Sequence, residues 1–150
     1  MEKNEINYFE LSSKQKELYN FSHIAKLLAD YGYLCTKLSA DWNNADFVAQ
    51  HYRTGNIYKI QLKSRLTIAE KYKGKEIYMA FPYQGRWFII QHDELLDIID
   101  KTVNYLHSDH WLKKKEYSTD NPAQVLIEKL ESYEWKPINI PFVAGQRKSN

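Results

Sequence analysis

The chain has 150 residues, 43% of them hydrophobic, and 21 Lys and Arg against 19 Asp and Glu give a formal net charge of +2. That is enough apolar material for one domain with its own core and too much for a disordered chain, while so small a net charge leaves any basic surface to local clustering of lysines. Cys35 is the one cysteine, which excludes an intrachain disulfide framework and fits a reducing compartment; with no basic-then-apolar leader and no run near the ~18 apolar residues of a membrane span, a cytoplasmic protein without a membrane partner is expected.

One domain is expected over residues 1–150, with residues 1–11 and 136–150 extended or mobile, the latter because of two prolines and a polar, basic end. Ser12 or Ser13 caps a first helix, in which Leu18, Phe21, Ile24, Ala25, Leu28 and Tyr31 recur at helical spacing until Gly32 ends it. Tyr33 to Leu38 reads as a strand that carries Cys35 as a buried structural residue, and Asp41 to Asn44 as a polar loop. Asp46 to Tyr52 and Ile57 to Ser64 alternate as a hairpin around a four-residue turn, Arg53 to Asn56. Leu66 to Glu76 reads as a loop or short helix with Lys71, Lys73 and Lys75. "EIYMAFPY" and "RWFIIQ" are two more strands around Gln84 and Gly85. Asp93 opens a helix with Leu95, Leu96, Ile99, Val103 and Leu106 on its apolar side, and Asn121 with Pro122 starts a last helix burying Leu126, Ile127, Leu130 and Tyr133. The order predicts a mixed α/β or α+β domain, a central mixed sheet of about five strands flanked by helices.

With the four-residue turn, Tyr52 faces Ile57, Val48 faces Gln61 and Asp46 faces Lys63. One side of the hairpin then holds Asp46, Val48, Gln50, Tyr52, Lys59, Gln61 and Lys63, and the other Phe47, Ala49, Tyr58, Ile60 and Leu62. Such alternation serves any half-solvated hairpin, and an Asp opposite a Lys is a common surface pair worth under ~1 kcal/mol.

An acid at the head of one strand, a short turn, then a residue-x-Lys on the next strand, after a helix and a strand running through "LLADYGYLCTKL", resembles the PD-(D/E)XK nuclease superfamily with its restriction-endonuclease-like core. The resemblance spans about Ser12 to Ile99. It implies that Asp46 is a metal-binding acid, that Gln61 takes the place of the second acid, that Leu62 offers its backbone carbonyl to the metal and that Lys63 is the catalytic lysine. Gln61 departs from the usual carboxylate, so a further acid is expected from the first helix region. The usual position falls near Asn20 or Phe21, which are not acids; Glu17 or Glu10 can supply it, and Glu17, at the edge of the apolar stripe, is preferred. The implied cofactor is Mg²⁺ or another divalent cation such as Mn²⁺, and the implied activity is hydrolysis of phosphodiester bonds in double-stranded DNA.

Cutting both strands requires two sites, hence a dimer at least. The Gln-x-Lys variant and the size look most like the bacterial group I intron homing endonuclease branch, which implies a tetramer; a junction resolvase, a restriction enzyme, or a catalytically inactive nucleic-acid-binding module are the alternatives. Lys71, Lys73 and Lys75, and Lys113, Lys114 and Lys115 in "WLKKKEY", are candidate DNA contacts. His107 and His110, three apart, are a weak metal-binding pattern, and His23, His51 and His92 are expected to be structural.

Overall fold

The computed structural model describes residues 1–139; residues 140–150, most of the tail expected to be extended or mobile, lie outside the described residues. The chain opens with a short 3-10 helix, Tyr8–Glu10. Helix α1 (Ser13–Asp30) begins with a reciprocal cap, in which the Ser12 hydroxyl accepts from the Gln15 N–H and the Gln15 side chain accepts from the Ser12 N–H. Its buried stripe is Asn20, Ile24, Leu27 and Leu28, rotated from the expected one so that Leu18 stays exposed. Gly32, at φ +89°, turns the chain back.

Strand β1 (Tyr33–Trp42) is longer than expected, because the polar loop shrinks to a turn at Asn43 and Asn44, both in the left-handed region that Asn tolerates. Strands β2 (Ala45–His51) and β3 (Ile57–Leu62) form the expected hairpin in a different register. Phe47 pairs with Ile60 and Val48 with Lys59, two residues from the expected pairing of Val48 with Gln61. The turn closes earlier than expected. The Gly55 N–H donates to the His51 carbonyl and the His51 N–H to the Asn56 carbonyl, while Tyr52 gives its N–H to Gly32 and not to Ile57. An even shift leaves every side chain on its expected face, so Phe47, Ala49 and Ile60 are buried. The register continued by one pair sets Asp46 level with Gln61 and not, as expected, with Lys63.

Leu66 to Glu76 is not the expected loop or short helix throughout. It holds strand β4 (Leu66–Ala69) and a 3-10 turn, Glu70–Tyr72. Strands β5 (Tyr78–Tyr83) and β6 (Arg86–Gln91) match expectation. Helix α2 (His92–Val103) ends in a left-handed Asn104, which leaves Leu106 in a separate 3-10 turn. Helix α3 (Asp109–Lys114) leads into strand β7 (Glu116–Thr119). Helix α4 (Gln124–Leu130) starts later than Pro122, since the Leu126 and Ile127 N–H groups bond the Ala123 carbonyl. Strand β8 (Glu134–Trp135) is tied to β6 by pairing and by the Arg86–Glu134 ion pair.

The fold is mixed α+β. Six strands form one sheet in the order β1-β2-β3-β5-β6-β8, with β3 and β5 parallel and the other neighbours antiparallel, and β4 pairs with β7 apart from it. The expected five strands become eight because β4, β7 and β8 are short and lack a long alternating run. One apolar cluster joins α1 to the sheet through Ile24, Leu28, Phe47, Ala49, Ile60 and Ala80. The other joins β5, β6 and β4 to α2 and α4 through Phe81, Phe88, Ile90, Ile68, Leu95 and Leu130. Among the described residues no helix is long and apolar enough to cross a membrane.

Candidate active site

Asp46 stands at the head of β2, where the hairpin leaves regular pairing. Its Oδ2 accepts from the Gln61 side-chain amide and from the Leu62 N–H, each at 2.8 Å. The carboxylate is thus clamped to the end of β3, and Oδ1 is left with no hydrogen bond among the described residues. A strand residue turns its N–H and C=O to the same side, so the Leu62 carbonyl also faces the β2 side. The Lys63 N–H bonds the Ala80 carbonyl at 2.8 Å, which holds the end of β3 against β5.

These residues open on a cavity of about 290 Å³ whose walls include Glu17, Asp46, Gln61, Lys63 and Lys71. Tyr72 forms one wall, with the Lys63 Nζ 5.5 Å and the Lys71 Nζ 5.0 Å from its ring centre. On the opposite side Lys37 donates to Glu17 at 2.7 Å, and Lys14 lies 3.6 Å from the same carboxylate. Four lysines face the cavity against two acids. A concave surface with that balance favours a polyanion.

Burial pushes the Asp46 carboxyl above its ordinary value and Glu17 adds to that, while the Leu62 N–H and the positive charges of Lys63 and Lys37 oppose it. Glu17 is held below its ordinary value, chiefly by the hydrogen bond from Lys37. The two acids therefore differ. Asp46 is a half-desolvated carboxylate with no lysine within ion-pair distance among the described residues, whereas Glu17 already has a cation.

The structure brings Asp46, Gln61, Leu62, Lys63 and Glu17 to one place. Glu10 is elsewhere, accepting from the Asn7 side chain at 3.1 Å, and is not part of the cavity wall. Of the six candidate DNA lysines, Lys71 lines the cavity. Lys73 and Lys75 continue the same loop, and Lys59 donates to the Lys75 carbonyl at 2.8 Å. Lys113, Lys114 and Lys115 are exposed at the end of α3, yet they join the first lysine segment, because Ala69 pairs with Glu116 and the Glu70 N–H bonds the Lys115 carbonyl at 2.9 Å. His107 and His110 do not share a helix, since Ser108 breaks the chain between them and caps α3. Among the described residues no three His, Cys, Asp or Glu side chains cluster as a metal site. Cys35 is half-buried, and burial pushes its thiol up to about 11, so it is no nucleophile.

Lys14, Lys37 and Tyr72 were not among the expected site residues. For Lys37 a signal existed, because alternation along β1 puts it on the side of Tyr33 and Cys35, where a charge is out of place. For Tyr72 the signal was an aromatic residue set between lysines. Compared with protein-family models, with curated proteins and with solved structures, the chain finds no match in any of the three.

Proposed function

We propose that this chain is a divalent-metal-dependent DNA endonuclease of the PD-(D/E)XK superfamily, hydrolysing phosphodiester bonds in double-stranded DNA. The observation that carries this reading is the clamped Asp46 carboxylate, with one free oxygen, beside Gln61, Leu62, Lys63 and Glu17 in a cavity with an excess of lysines.

The donor chemistry fits Mg²⁺ or Mn²⁺. Asp46 presents a free carboxylate oxygen in a half-buried setting, and the other ligands at hand are also oxygens, the Leu62 carbonyl and the Gln61 amide. Such hard donors suit an ion that keeps waters and phosphate oxygens in its shell. Asp46, Gln61 and Leu62 would hold the ion, with Glu17 an added acid if Lys37 releases it. A bound ion supplies a more acidic water and neutralises phosphate charge.

The chain's own side chains do the rest. Lys63, steadied over Tyr72, stabilises charge that develops on the phosphate and donates a hydrogen bond to the oxygen of the attacking water, which positions it. Lys71 and Lys14 hold the substrate by charge. The lysine segments 71–75 and 113–115 extend the contact along the duplex, and a dimer at least supplies a site for each strand. A homing endonuclease of the group I intron branch, which implies a tetramer, is the favoured role over a junction resolvase or restriction enzyme, and the cytoplasm the favoured place.

One observation favours a second reading, an inactive DNA-binding module: Gln61 is neutral and Glu17 is committed to Lys37. Asp46→Asn separates the two readings. The nuclease reading expects the wild type to nick plasmid DNA in Mg²⁺ and not in EDTA, and the variant to lose cleavage while keeping most of its DNA affinity, since affinity rests largely on phosphate contacts. Equal binding with no cutting by either protein, in Mg²⁺ or Mn²⁺, means the binding module.

A further inference from the structure

A second cavity, of about 330 Å³, lies on the other side of Lys63, between the start of α1 and the end of β3. Its volume falls within the about 300–1,000 Å³ of small-ligand clefts. Glu17 and Lys63 line both cavities, so the two are halves of one groove divided at the candidate catalytic lysine.

Lys16 is the other cation of this second half. It is half-buried, 5.4 Å from the centre of the Tyr8 ring, and has no acid within ion-pair distance among the described residues. Glu17 does not serve it, because Lys37 and Lys14 already engage that carboxylate. Lys63 likewise has no ion pair among the described residues. Two half-buried ammonium groups without an ion-pair partner thus face one space whose lining carboxylate, Glu17, is already engaged by Lys37 and Lys14, an arrangement suited to an anionic ligand. The hydroxyl residues Ser13 and Ser64 line the same space. The wall behind Lys16 is built. Tyr8 stands on the 3-10 helix capped by Asn7, accepts from the buried Asn20 amide at 3.2 Å, and packs on Tyr19 at 5.3 Å between ring centres.

We propose that this cavity seats a second DNA phosphate, adjacent to the scissile one on the same strand, held by Lys16 with Ser13 and Ser64. The proposal rests on the nuclease reading for the identity of the polyanion. The strand passes over Lys63 from one half of the groove to the other, so the N-terminal 3-10 helix is part of the DNA-binding surface.

The test is the binding of a random-sequence duplex in EDTA, measured by fluorescence anisotropy over a range of KCl, for the wild type, Lys16→Gln, Lys16→Arg and Lys101→Gln. Lys101 is an exposed residue of α2 paired with Asp97 and serves as a control for bulk charge. Loss of one phosphate contact makes the slope of log K on log salt shallower by about 0.9 and weakens binding about fivefold at 0.15 M salt. That is expected for Lys16→Gln, with Lys16→Arg and Lys101→Gln near wild type. An unchanged slope in Lys16→Gln overturns the proposal, as does an equal change in Lys101→Gln or a wild type that binds no DNA. Because this assay reads binding alone, a slope change in Lys16→Gln together with a wild type that never nicks plasmid DNA in Mg²⁺ or Mn²⁺ overturns the nuclease reading and leaves the phosphate seat standing.

Discussion

Replacing Gln61 by Glu probes the proposed site directly, because it supplies, at almost constant volume, the acid that the proposed nuclease superfamily usually carries at this position. The Gln61 amide donates to Asp46 at 2.8 Å. A hydrogen bond to a charged group is worth about 1.5–3 kcal/mol, and half-exposure puts this one near the lower figure. The substitution removes it and sets two carboxylates about 4 Å apart, a repulsion of about 4 kcal/mol at an effective dielectric constant of 20. Protonating one of the pair is the escape, and at pH 7 that costs about 3.7 kcal/mol for an ordinary Glu. The shared proton then restores part of the hydrogen bond, so the net loss is about 3 kcal/mol. At roughly 2–4 °C per kcal/mol for a domain of this size, the melting temperature in EDTA should fall by roughly 6–12 °C. A metal bound between the two carboxylates reverses this, returning about 2.7 kcal/mol at a hundred times its Kd. Thermal melts in EDTA and across a Mg²⁺ titration measure both effects, and cleavage rates across the same titration should show the variant active at lower Mg²⁺ than the wild type. Gln61→Ala loses the hydrogen bond without adding a charge, so it should melt roughly 3–6 °C lower in EDTA, less than Gln61→Glu, and lose most of its activity. A Gln61→Glu protein as stable as wild type in EDTA and indifferent to Mg²⁺ would refute the geometry claimed for Asp46 and Gln61.

Neutralising Lys113, Lys114 and Lys115 should make the salt dependence of DNA binding shallower by about 0.9 per true phosphate contact, and an unchanged slope would show a purely solvated run. Gly32→Ala should destabilise by about 1–2 kcal/mol in urea unfolding, because φ is +89° and the new Cβ would lie 2.6 Å from the Tyr52 ring, which must move. His92 is fully buried, its Nε2 accepting from the Ala69 N–H at 3.2 Å and its Nδ1 2.9 Å from Asp93. Burial holds its pKa below the ordinary 6.5, with Asp93 opposing. The unfolded chain therefore binds the proton first as pH falls, and the stability that neutral His92 contributes is present above pH 6.5 and lost below it. Melting temperatures between pH 8 and 5 should fall more steeply for the wild type than for His92→Leu, and parallel curves would remove His92 as the cause.

The local periodicities were legible in the sequence alone. The first helix and its serine cap, the β2–β3 hairpin, the β5–β6 hairpin and the core of α4 all follow from spacing, since apolar repeats of 3.6 or 2 dictate which face is buried. The gathering of Asp46, Gln61 and Lys63 needed only alternation, which survives an even change of register. Tertiary structure decided the rest. The register itself turned on Tyr52 bonding Gly32 in another element, which no local pattern encodes. Strands β4 and β7 are four residues each and exist as strands only because each pairs with the other, about fifty residues away. That pairing, not composition, joins the two lysine segments. The choice of Glu17 over Glu10, and its capture by Lys37, depend on how α1 crosses β1, a packing angle set by side chains from both elements.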